Sequence, residues 1–120
     1  MATRATYCFK DVGHKTTAYI HWDGYPAGAA EYFNNAFISK LKGCLATKFI
    51  KANDAEITQS HEIHGDTEYQ YDIELENNNL KAYKVNREWG KGCDHASDNP
   101  KPELIFDGSL NNFIKEYLNV

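Results

Sequence analysis

The sequence predicts an α+β domain in two layers, an antiparallel sheet of two hairpins with four to five strands in all, packed against two to three helices. Three observations carry that expectation: apolar residues alternate with polar ones before Asp23 and again from Glu68, a helical stripe follows Pro26, and a capped apolar segment closes the chain. At 120 residues, 42% hydrophobic and 25% charged, the chain is expected to form a single domain over 1–120. That length buries enough surface to fold without disulfide or metal staples.

The first strand is expected from Thr3 to Phe9, where Ala5, Tyr7 and Phe9 alternate with Arg4 and Thr6. The second runs from Thr16 to Trp22, with Ala18, Ile20 and Trp22 on one side and Thr17, Tyr19 and His21 on the other. Asp11, Gly13 and His14 supply the turn between them. Pairing Phe9 with Thr16 sets Tyr7 opposite Ala18, Ala5 opposite Ile20 and Arg4 opposite His21, which gathers the apolar residues on one face.

Pro26 suits the first turn of a helix, because its fixed φ is helical and its missing N–H would be unpaired there in any case. Ala30, Phe33, Phe37 and Leu41 then recur at helical spacing, so a helix is expected from Ala27 to Lys42. Gly43 should interrupt it, and Leu45 to Ala52 should form a second short helix with Leu45, Phe49 and Ile50 inward. Between Glu68 and Glu76, Tyr69, Tyr71, Ile73 and Leu75 alternate with charged or amide residues, which predicts a strand with one wet face. Asn77, Asn78 and Asn79 form a turn, and Leu80 to Arg87 returns with Tyr83 and Val85 inward. Gly90 to Pro102 reads as a polar loop and Leu104 to Phe106 as a short strand. Ser109 then caps a last helix that buries Leu110, Phe113, Ile114, Tyr117 and Leu118.

The stretch with the most unusual chemistry is His21-Trp22-Asp23-Gly24-Tyr25-Pro26, where the second strand hands over to the helix. Turn chemistry accounts for much of it: Asp-Gly makes the turn, Pro starts the helix, and Trp22 and Tyr25 are expected to pack against the sheet. A functional reading starts from the helix N-terminus, whose free N–H groups and dipole favour an anion. Arg4 and His21 would supply donors, Asp23 an acceptor, and Trp22 or Tyr25 a stacking face, a set that suits a nucleotide or another anionic ligand. His21 and Asp23 would also serve as an acid–base pair, but no Ser or Cys nucleophile is spaced beside them, so the weight falls on binding and no catalytic residue is assigned.

Thr3-Arg4-Ala5, Tyr19 to Pro26 and Gly28-Ala29-Ala30 together resemble a group of small HWDGYP-motif proteins carried by phages, mobile elements and their bacterial hosts. Thr58-Gln59-Ser60-His61-Glu62 and His64-Gly65-Asp66-Thr67-Glu68-Tyr69, with Tyr71, resemble a second motif of that group, so the likeness touches the first two thirds of the chain. The group has no assigned reaction. The His21 to Pro26 segment is also similar to one in phage anti-defence proteins that sequester cyclic nucleotide signals, such as the Thoeris-inhibiting sponges. The resemblance implies a small binding protein that captures a nucleotide-like or other anionic ligand or blocks a host protein, the alternatives being an enzyme that uses His21 and Asp23 as an acid–base pair and a purely structural homo-oligomeric module.

His61, His64, Cys93 and His95 are a weak zinc candidate, since His-x-x-His and Cys-x-His occur without an anchoring Cys-x-x-Cys. No cofactor is expected. The acidic row Glu68, Asp72, Glu74 and Glu76 would imitate nucleic-acid phosphates or, more simply, form the wet face of its strand. A net charge of -4 argues against nucleic acid as the partner. The eight Tyr and two Trp would suit a homodimer contact as well as a core. No signal-peptide segment and no apolar run of about 18 residues is found, and three widely spaced cysteines do not make a disulfide framework, so a cytoplasmic protein that avoids membranes is expected.

Overall fold

The computed structural model describes residues 3–40, 42–58, 67–85 and 102–118. In chain order these form strands β1 (Ala5–Asp11) and β2 (His14–Ile20), helices α1 (Pro26–Ile38) and α2 (Leu45–Asn53), strands β3 (Glu56–Thr58), β4 (Tyr69–Glu74), β5 (Asn79–Val85) and β6 (Pro102–Ser109), and helix α3 (Leu110–Leu118). The class is α+β, as the sequence predicts. The sheet differs from the expectation in two respects. It has six strands in the order β3-β2-β1-β4-β5-β6, and it is mixed, because β1 and β4 run parallel at its centre.

The β1–β2 hairpin closes through Val12-Gly13, with Gly13 at φ +74, a backbone angle open to glycine at little cost. Its register is Phe9 with Thr16, Tyr7 with Ala18 and Ala5 with Ile20, as the apolar pattern requires. On its other edge β1 pairs in parallel with β4, setting Tyr7 level with Tyr71 and Phe9 level with Ile73. Strand β3 was not anticipated. It adds to β2 through Ala18 with Ile57 and Tyr19 with Glu56, and its three residues are too few to show an alternation.

The inward face of β5 differs from the expectation. The turn before it sets Ile73 opposite Leu80 and Tyr71 opposite Ala82, so Leu80 and Ala82 join the core cluster; Tyr83 and Val85 fall in the opposite phase of the strand, where Val85 is buried as expected and Tyr83 is half-buried. Strand β6 is longer than the three residues expected and carries an irregularity opposite Ala82/Tyr83.

Helix α1 begins at Pro26 but stops at Ile38, where Ser39 turns extended and its hydroxyl donates to the Ala36 carbonyl at 2.9 Å. Its buried stripe is Ala29, Ala30, Phe33 and Ala36, and Phe37 is exposed rather than inward. Leu41 lies outside the described residues. Ser109 caps α3 as expected, accepting a hydrogen bond from the Asn112 amide at 3.1 Å.

Helices and sheet meet in a layer of aromatic rings. Tyr7 stacks on Tyr71 at 4.9 Å between centroids and 8° between planes, and meets Phe33 edge-on at 5.8 Å. Phe49 of α2 and Phe113 of α3 extend the cluster to both sides of Phe33, at 5.1 and 6.0 Å. Offset and edge contacts of this kind add to the burial of large apolar faces. Most of the chain's aromatic surplus is thereby used in the core.

Candidate functional site

The turn from β2 into α1 is fixed by its backbone and by three tyrosine rings beneath it. Asp23 takes a left-handed backbone with φ 51, which Asp tolerates better than most residues. Gly24 follows, its N–H donating to the Thr3 carbonyl at 2.9 Å. A Cβ at Gly24 would stand 2.6 Å from the Ala5 Cβ and 2.9 Å from the Thr3 oxygen, so only glycine fits against β1. A Cβ at Gly28 would overlap the Asp23 carbonyl, so the first turn of α1 lies directly on this loop.

From below, the Tyr71 hydroxyl donates to the Gly24 carbonyl at 2.6 Å and the Tyr32 hydroxyl donates to the Trp22 carbonyl at 2.9 Å. The Tyr7 hydroxyl is buried nearby and has no hydrogen-bond partner among the described residues; burial first, then Tyr32 and Asp23, push it far above the usual phenol range. Glycine, left-handed Asp and proline are therefore explained by the turn itself.

The rings of the motif are not. Trp22 is 63% exposed and Tyr25 42% exposed, against the expectation that both pack on the sheet. The turn is held against β1 through its main-chain groups, and the side chains of residues 22 and 25 are left largely outside. His21 stands between this surface and the sheet, 4.6 Å from the Tyr19 ring and 6.3 Å from Trp22, centroid to centroid.

Carboxylates stand beside His21 and Tyr25. His21 Nε2 lies 3.5 Å from Glu56 Oε1 on β3, and the Tyr25 hydroxyl lies 3.4 Å from Asp23 Oδ1. Asp23, more than any other group, holds the Tyr25 hydroxyl above its ordinary pKa, with Glu31 adding in the same direction. Tyr32 is raised by burial, then by Asp23 and Glu31. Arg4 is half-buried at the start of β1, engaged with other groups, and its carbonyl accepts the Glu68 amide at 2.8 Å. The β1–β2 pairing ends with Ala5 opposite Ile20, one residue short of the expected pairing of Arg4 with His21.

The structure sets His21, Trp22, Asp23 and Tyr25 along the turn at one end of β2, and the chain next to Arg4 reaches that turn through the Thr3 carbonyl, which accepts the Gly24 amide. His21 faces the Glu56 carboxylate, and the Asp23 carboxylate faces Tyr25. Sequence reasoning missed Glu56, Tyr32 and Tyr71. The signal for Tyr71 was present, because a tyrosine in the buried phase of a strand needs a partner for its hydroxyl. Glu56 had none, since β3 is too short to read.

No group of three or more His, Cys, Asp or Glu that would hold a metal occurs among the described residues. His61, His64, Cys93 and His95 lie outside them. No helix among the described residues is long and apolar enough to cross a membrane. At the opposite end of β1 an open cleft of about 240 Å³ is lined by Lys10, Asp11, Val12, Glu74 and Glu76, with no aromatic ring. Comparison with family models, with curated proteins and with solved structures finds no match to this chain.

Proposed function

We propose that this chain is a small binding protein of mobile-element or phage kinship, without catalysis of its own, that blocks a host protein through the His21 to Tyr25 surface. The observation that carries the reading is the division of labour in the turn. Main-chain carbonyls and glycines hold it in place, while Trp22 and Tyr25 contribute large exposed rings that lie outside the core cluster. Exposed aromatic rings on a rigid support are the usual anchors of protein interfaces, because ordering them costs little entropy on binding. The carboxylates of Asp23, Glu31 and Glu56 favour this partner over the anionic ligand that the helix N-terminus alone would suggest.

Capture of a nucleotide-like ligand is the second reading. One observation favours it: α1 has no side-chain N-cap hydrogen bond and no acidic residue in its first turn, which leaves the helix start open to an anion. The two readings separate in a paired experiment. Affinity purification from host lysate with the native chain and with the Trp22→Ala/Tyr25→Ala variant is expected to recover a protein that the variant loses. A thermal-shift screen with nucleotides and cyclic nucleotides is expected to leave the melting temperature unchanged, since only a ligand bound by the native state raises it. A nucleotide-dependent rise abolished by His21→Ala would replace the first reading by the second, and turnover of that nucleotide would make the protein an enzyme.

A further inference from the structure

The chemistry of the patch says what kind of partner group it takes. Trp22 offers the ring face on which a cation is best held, and a Lys or Arg head within about 6 Å of such a face is attracted by its quadrupole. Asp23 follows Trp22 in the chain, and Glu56 sits 3.5 Å from the His21 imidazole that precedes it. The Tyr25 ring, 42% exposed, carries its hydroxyl 3.4 Å from the Asp23 carboxylate. Arg4 is already engaged with other groups and His21 faces Glu56, so an anion would have to enter beside the carboxylates, whereas a cation meets both the ring faces and the opposite charge.

Resting on the reading of the turn as a protein-binding surface, we propose that its partner inserts a cationic side chain, the arginine of a basic segment, against Trp22 and Tyr25 within the field of Asp23, Glu31 and Glu56. Arginine fits better than lysine, because its planar, weakly hydrated guanidinium stacks on a ring and forks onto a carboxylate at once. Asp23 is held in its left-handed conformation by the locked turn, so its backbone does not have to be ordered when the partner arrives.

The test uses the full chain and a defined probe: an acetylated, amidated Gly/Arg alternating pentapeptide, with the same peptide carrying citrulline in place of arginine as its neutral isostere. Binding is followed on the indole N–H signal of Trp22, assigned by its loss in Trp22→Phe. The arginine peptide is expected to give a saturable shift at least about fivefold tighter than citrulline, weakened by 1 M salt and by either Asp23→Asn or Glu56→Gln. Asn tolerates the left-handed backbone at residue 23, so the turn persists in that variant, as unchanged circular dichroism will report. No saturable shift with the arginine peptide, or equal affinity for citrulline, overturns the inference of a cationic partner. If lysate capture still depends on Trp22 and Tyr25 in that case, the protein-binding reading stands without it. If capture survives their removal, that reading falls as well.

Discussion

The Tyr71 hydroxyl donates to the Gly24 carbonyl at 2.6 Å from a ring with no exposed surface. Tyr71→Phe therefore strips a buried carbonyl of this donor and is expected to cost about 1–2 kcal/mol in chemical denaturation. Tyr7→Phe removes a buried hydroxyl that has no such partner among the described residues, and is expected to cost less than about 0.5 kcal/mol. A loss in Tyr7→Phe as large as in Tyr71→Phe would contradict the assignment of Tyr71 as the prop of the turn. Cysteine chemistry divides in the same local way. Hydrogen bonds from Thr47 lower the exposed Cys44 thiol at the start of α2, whereas burial raises Cys8. A lowered pKa means thiolate at lower pH, so alkylation of Cys44 is expected to rise at a lower pH than that of a free thiol, and Thr47→Val should shift the profile upward. A profile unmoved by Thr47→Val would remove the Thr47 hydroxyl as the cause. At this scale the sequence was informative about backbone demands, Gly24 and Pro26 above all. It was misleading about Trp22 and Tyr25, whose size suggested burial that their carbonyl-held turn does not provide.

Elements interlock at the same place. Helix α1 starts on Pro26 and lies against the Asp23 carbonyl at Gly28, so the strand end and the helix start are packed as one unit. Gly28→Ala forces a Cβ into that carbonyl and is expected to destabilise by about 3 kcal/mol, read as a shift of the denaturation midpoint. A neutral Gly28→Ala would show that α1 can move off the turn, and with it would go the claim that the aromatic rings stand on a fixed support. The register of the β1–β2 hairpin was legible because both partners are short, adjacent and one-sided, so a single slip would expose Tyr7 and Ala18 together. The facing of β5 was not, because Leu80 and Ala82 on one side and Tyr83 and Val85 on the other are all apolar enough to be buried. Strand alternation cannot choose between two apolar faces; the pairing of Ile73 with Leu80 does.

Across the whole molecule, the parallel contact of β1 with β4 decides the architecture and has no local signature. The two strands are separated in the chain by β2, α1, α2 and β3, and what joins them is the layer of rings led by Tyr7 on Tyr71. Such non-local pairings follow from how helices cover a sheet rather than from any one segment's pattern. The same arrangement puts the second strand's end, the head of α1 and the short β3 at one edge, which is why His21 and Glu56 meet although 35 positions part them in the sequence. The rings of Trp22 and Tyr25 stand at that edge with no task in the core. The central claim is that they serve recognition and not folding, and the melting temperature of Trp22→Ala/Tyr25→Ala tests it most directly. The double variant is expected to melt within about 3 °C of the native chain while losing its captured partner, since exposed side chains contribute little to stability. A fall of the size that truncating a core ring produces, with partner capture intact, would make these rings part of the fold and leave the surface without the role assigned to it.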